Sequence, residues 1–107
     1  MALFTGKDRR GMDRGVEEFR KKKNAVLVDV RSRAEYAEGH VPGSINIPLT
    51  EIPDAQEYIP SLDTPVYVYC HSGTRSRYAA MALESLGFEN TENIGGLEDY
   101  TGELTDQ

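Results

Sequence analysis

The run Ala25-Val26-Leu27-Val28-Asp29-Val30 constrains the fold more than any other segment. It is almost continuously apolar and lacks the polar alternation of a half-solvated strand. Such a run suits a strand covered on both faces, as in a parallel sheet. A second run, Val66-Tyr67-Val68-Tyr69, ends on Cys70, the only cysteine of the chain. Two shorter strands are predicted. One is Ser44-Ile45-Asn46-Ile47, between the turn signal Pro42-Gly43 and Pro48; the other runs from Thr91 to Ile94, before Gly95-Gly96.

Helical patterns fall between these runs. From Met12 to Lys22, Val16 and Phe19 lie three apart among charges, which predicts a short amphipathic helix ending near Asn24. Ser32 with Glu35 three residues on is a capping-box pattern for a helix through Glu38, stopped by Gly39. Thr50 is the expected cap of a weak helix from Glu51 to Ile59, interrupted by Pro53. Ser76 to Leu86 predicts a helix stopped by Gly87, and the tail from Leu97 reads as a last helical turn and a polar end. The residues up to Arg10 have no clear period, with a short edge strand expected near Leu3-Phe4. Strands alternating with helices indicate one α/β domain over residues 1–107, with a mainly parallel sheet; about ten N-terminal and about seven C-terminal residues are expected to be peripheral. Ligands of such sheets bind outside the carboxyl ends of the strands, where Asp29 and Cys70 both fall.

Composition narrows the function classes. A net charge of −6 argues against nucleic acid as a partner. One cysteine excludes an intramolecular disulfide, and no Cys/His pattern suggests a metal. No segment has the length or apolarity of a signal or a membrane span, so a soluble, cytoplasmic protein with no membrane partner is expected. Lys21-Lys22-Lys23 is the solvated end of the first helix, where cations suit the macrodipole.

The chemistry concentrates in Cys70-His71-Ser72-Gly73-Thr74-Arg75. Gly73 permits a bend that a side chain would oppose. Successive N–H groups in such a bend form an anion-binding nest. Arg75 adds a fixed positive charge, and the helix beyond adds its N-terminal partial charge. Each feature favours thiolate over thiol, and each would hold a small oxyanion. Two reaction classes use such a cradle, both through a covalent intermediate on the thiolate: sulfur transfer and phosphoester hydrolysis. Four residues separate Cys70 from Arg75, and that small ring leans toward a single added sulfur over a tetrahedral phosphoryl group.

The motifs resemble those of the rhodanese family of sulfurtransferases. Asp29-Val30-Arg31 is similar to the family's Asp-x-Arg at an early strand end. Glu35-Tyr36-Ala37-Glu38-Gly39-His40-Val41-Pro42-Gly43-Ser44-Ile45-Asn46-Ile47-Pro48 resembles its second signature, with Ser44 where alanine is commoner. Cys70 to Ser76 resembles the active-site loop, and Ile94-Gly95-Gly96-Leu97 the closing Gly-Gly segment. Tyr100 stands near where the family often has tryptophan. The resemblance spans Val26 to Gly96 and implies a mainly parallel five-stranded sheet with helices on both faces. It implies Cys70 as the catalytic, persulfide-carrying nucleophile, with His71, Ser72, Gly73, Thr74, Arg75 and Ser76 forming the substrate cradle. The implied partners are a small anionic sulfur donor, such as thiosulfate, and a thiol, cyanide or protein-thiol acceptor. No cofactor or metal is implied. Phosphatase relatives carry a loop one residue longer.

Other residues receive plainer readings. Asp29 and Arg31 are expected to support the site as a structural pair, with Arg31–Glu35 an alternative pairing. His71 is a variable loop side chain that biases donor choice, since an ionised thiol needs no general base. Arg77 is peripheral, helping to attract anionic donors at most, and His40 is a hydrogen-bonded packing histidine. Tyr67, Tyr69 and Tyr78 read as packing residues. Two functional alternatives remain beside the enzyme: a sulfur-relay or partner-binding module with low small-molecule activity, and a cysteine phosphatase or arsenate-handling enzyme.

Overall fold

In the computed structural model, which describes residues 11–107, the two valine-rich runs lie side by side as parallel strands. β1 is Val26–Asp29 and β3 is Val66–Cys70, in register from Val26 opposite Val66 to Asp29 opposite Tyr69. β2, Ile45–Asn46, flanks β1, and β4, Thr91–Gly96, flanks β3; the order is β2-β1-β3-β4 and every pairing is parallel. The expected five strands are therefore four among the described residues. No fifth described segment joins the ladder, because the residues after β4 turn at once into a 3₁₀ helix, Leu97–Asp99. The edge strand expected near Leu3-Phe4 lies outside the described residues.

Among the described residues three α-helices accompany the sheet: α1 (Gly11–Lys21), α2 (Arg33–Glu38) and α3 (Thr74–Ser85). The pleat of β1 and β3 sends successive side chains to opposite faces. Leu27, Tyr67 and Tyr69 pack with Met12 and Val16 of α1. Val28, Val66, Val68 and Cys70 pack with Ala79 and Leu83 of α3 and with Ile52. All of these are buried, and each fully buried aliphatic side chain contributes about 1.5–3 kcal/mol. A continuous apolar run is what two covered faces require.

Local chemistry sets the helix limits. Ser32 caps α2 with both halves of the capping box: its Oγ accepts from Glu35 N–H at 3.2 Å, and Glu35 Oε1 accepts from Ser32 N–H at 3.0 Å. The weak helix expected from Glu51 to Ile59 is instead a 3₁₀ segment, Leu49–Glu57, kinked at Asp54. Pro53 lies inside it and has no N–H to donate. Thr50 is not its cap; Pro48 occupies that position. α3 starts two residues before the expected Ser76, because Gly73 at φ +100° turns the chain directly into the helix. Tyr78, expected to pack, is 53% exposed. The buried stripe of α3 is Ser76, Ala79 and Leu83, and Tyr78 falls beside it. The Lys21-Lys22-Lys23 run is exposed, as its place at the end of α1 predicts.

The strand order also positions the site. The chain steps from β1 out to β2, then back across β1 to β3 and on to β4. The direction of winding reverses between β1 and β3, and such a switch point opens a crevice at the carboxyl ends of the strands. Asp29 ends β1 and Cys70 ends β3, so both stand at that crevice.

Candidate active site

Cys70 is the last residue of β3, and its Sγ takes hydrogen bonds from the loop that follows. Sγ accepts from Gly73 N–H at 3.0 Å and Ser76 N–H at 3.4 Å, and Ser76 Oγ lies 3.4 Å away, its one proton shared with Asn93 Oδ1 at 2.7 Å. The residue is only 1% exposed. Burial pushes the thiol up; the Ser76 hydroxyl, with the N–H groups of Ser76, Gly73 and Ser72, outweighs it and leaves the thiol below its ordinary value. A buried cysteine in an apolar core would shift the other way.

The closing Gly-Gly segment buttresses this loop from β4. A Cβ on Gly96 would lie 2.0 Å from the His71 carbonyl oxygen, so only glycine fits there. That carbonyl accepts from Glu98 N–H at 3.1 Å. Asn93 adds a tie that its sequence position did not reveal. Its Nδ2 donates to the Gly73 carbonyl at 3.1 Å, and its Oδ1 accepts from Ser76 Oγ at 2.7 Å and from Gly95 N–H at 3.0 Å. A polar residue two before a glycine pair was the one available signal. Ser72 and Thr74 are exposed, with their hydroxyl oxygens 3.4 Å apart, and the His71 side chain is exposed.

Asp29 and Arg31 form the buried pair anticipated for them. Arg31 Nη2 donates to Asp29 Oδ2 at 2.8 Å, and Arg31 Nε and N–H reach Oδ1 at 3.0 and 2.9 Å. The alternative pairing of Arg31 with Glu35 is not formed. Arg31 instead donates from Nη2 to the Gly39 carbonyl at 2.6 Å and so fixes the end of α2. Glu35 holds the loop arginine: Arg75 Nη1 meets Oε1 at 2.8 Å and Arg75 Nη2 meets Oε2 at 3.1 Å. The Arg75 fork, with the Ser32 N–H, keeps the Glu35 carboxyl down at about 2. Arg75 was expected to face the anion, and its guanidinium is matched to a carboxylate.

Tyr69 does more than the packing expected of it. Its phenol oxygen accepts from Val41 N–H at 3.0 Å and lies 3.2 Å from Ser44 Oγ. Ser44 gives its own proton to the Val41 carbonyl at 2.7 Å, so the phenol donates to Ser44. Burial, followed by the Asp29 charge, raises the phenol and keeps it protonated. His40 is buried and stacked on Tyr36 with ring centroids 3.6 Å apart. Its Nδ1 lies 2.8 Å from the Tyr36 carbonyl, an acceptor, so Nδ1 carries the proton. Its backbone exchanges two 2.9 Å hydrogen bonds with Thr105. Among the described residues no cluster of His, Cys, Asp and Glu is placed to hold a metal, and no helix is long and apolar enough to cross a membrane.

Residues 14–103 match the model of the Rhodanese-like domain. The chain belongs to the rhodanese-like family. It is 40% identical over 73 residues to the thiosulfate sulfurtransferase PspE of Escherichia coli, covering 67% of this chain and 70% of that protein. It is 37% identical over 94 residues to the adenylyltransferase and sulfurtransferase uba4 of Ogataea parapolymorpha. That match takes in 83% of this chain and only 23% of uba4. Among solved structures, a rhodanese-like domain protein from Staphylococcus aureus superposes with a TM-score of 0.77 at 28% identity, over 90% of this chain and 94% of that one. The rhodanese-like α/β fold expected from the motifs is thus the fold of this protein.

Proposed function

We propose that this rhodanese-like domain is a sulfurtransferase that carries sulfane sulfur as a persulfide on Cys70. The observation that carries this reading is the sulfur at a strand end, with two N–H groups of its own loop converging on it and the Ser76 hydroxyl beside it. In the first half-reaction the Cys70 thiolate attacks the outer sulfur of thiosulfate. The new Sγ–S bond forms as the old S–S bond breaks, and its electron pair leaves on sulfite. The persulfide anion inherits the negative charge and the same loop donors. In the second half-reaction a thiolate or cyanide takes the outer sulfur and returns the electron pair to Sγ. The loop from Cys70 to Ser76 supplies the cradle, while Asp29 and Arg31 act at one remove by fixing the end of β1 and the start of the His40 loop. The similarity to PspE supports thiosulfate as donor.

A relay between proteins is the second reading. The similarity to part of uba4, a larger protein, favours it. The phosphatase reading is weaker, since four residues between Cys70 and Arg75 make a tight ring. Intact mass after incubation with thiosulfate tests the proposal. One added sulfur on the wild type and none on Cys70→Ser is expected. An unchanged wild-type mass with thiosulfate, and with a persulfide donor, overturns it. Loading from the persulfide alone favours the relay.

A further inference from the structure

Among the described residues, Arg31 and Arg33 after β1 and Arg75 after β3 are each matched to a carboxylate. Arg31 pairs with Asp29 at 2.8 Å, Arg33 with Glu51 at 2.6 Å and Arg75 with Glu35 at 2.8 Å. The first is buried and structural. The third differs in its place: Arg75 belongs to the loop that begins at Cys70 and lies in the first turn of α3. Its side chain is 40% exposed and that of Glu35 is 37% exposed, so the pair stands at the rim. Glu35 is fixed from a second direction, since Oε1 also accepts from Ser32 N–H at 3.0 Å. The α2 capping box therefore holds the carboxylate in place whether or not an anion is bound.

We propose that Glu35 sets the charge selectivity of the site, neutralising Arg75 and biasing the loop away from dianionic donors toward singly charged persulfides. The inference rests on the sulfurtransferase reading above. Coulomb attraction scales with ligand charge, so a net charge at the rim changes the binding of a dianion about twice as much as that of a monoanion. With Arg75 matched to Glu35, the loop amides are left directed at the Cys70 sulfur, where the transferred sulfur bonds. A singly charged alkyl persulfide gives the same product: its outer sulfur bonds to Sγ as the S–S bond breaks, and the electron pair leaves on the alkyl thiolate.

The test compares kcat/KM for thiosulfate with that for 2-hydroxyethyl persulfide, with cyanide as acceptor. Glu35→Gln retains a residue that satisfies the capping box and removes the charge. It is expected to raise the thiosulfate-to-persulfide ratio by roughly threefold, mainly through KM. Arg75→Gln leaves the carboxylate unmatched and is expected to lower the ratio. In the double variant the ratio returns toward the wild-type value, and raising the salt concentration shrinks each shift. Ratios that stay unchanged, or move the same way in both single variants, overturn the proposal and leave a merely structural pair. Because the two single variants are predicted to move in opposite directions, either one that folds decides the matter. If neither donor loads Cys70 in the wild type, the sulfurtransferase reading fails, and this one with it. If loading is normal and the ratio does not move, only the selectivity role fails.

Discussion

Burial alone would raise the Cys70 thiol, and the Ser76 hydroxyl is foremost among the groups that reverse this. A hydrogen bond to a charged group contributes about 1.5–3 kcal/mol. Ser76→Ala is therefore predicted to slow persulfide loading at neutral pH by up to about tenfold, the hydroxyl proton being shared with Asn93 Oδ1, read from the rate of mass gain with thiosulfate. Asp29 works by a different physics. Its carboxylate is fully buried and answers the buried Arg31. Asp29→Ala leaves that guanidinium without its counter-charge, which costs about 3–5 kcal/mol. A urea denaturation series should show this as a lowered midpoint with an unchanged slope. Tyr69→Phe removes the acceptor of the Val41 N–H, for about 1–3 kcal/mol, with sulfur loading much less affected than by Ser76→Ala.

Two joins between elements hold the loop in shape. One is steric: β4 approaches the His71 carbonyl so closely that a methyl group on Gly96 would overlap it. Gly96→Ala is predicted to weaken both stability and loading, because the His71 carbonyl cannot retreat without moving the loop. The other is the α2-to-α3 bridge from Glu35 to Arg75. The Glu35 carboxyl is lowered from 4.5 to about 2 in the fold. A lowered carboxyl contributes stability that is complete above about 4.5 and is lost as pH falls toward about 2. The pair is more than one-third exposed, so screening keeps that contribution below about 1 kcal/mol. Thermal melts of Glu35→Gln should converge on the wild type across that acid window and lie slightly below it near neutrality.

At the scale of the molecule, local signals carried far and distant ones did not. The covered strands were legible because continuous apolar runs such as Val26–Val28 have no stable place on a half-wet sheet. The α2 cap was legible because Ser32 and Glu35 interact within one turn. Asn93 escaped notice because its partners Gly73 and Ser76 lie 20 and 17 residues away. The Arg75 contact with Glu35 spans 40 residues and competes with a nearer candidate in Arg31. Tyr78 misled because composition does not say which side of a helix meets the sheet. The Cys70 loop was legible because its chemistry is packed into six consecutive residues, and the fold adds only the buttress that holds it. The chemistry of the site turns on the ionisation of one sulfur, which the thiolate ultraviolet absorbance of the wild type, with Cys70→Ser as baseline, follows directly against pH. The predicted titration has its midpoint below that of an unperturbed cysteine thiol titrated under the same conditions; a midpoint at or above that of the reference thiol would contradict a stabilised thiolate.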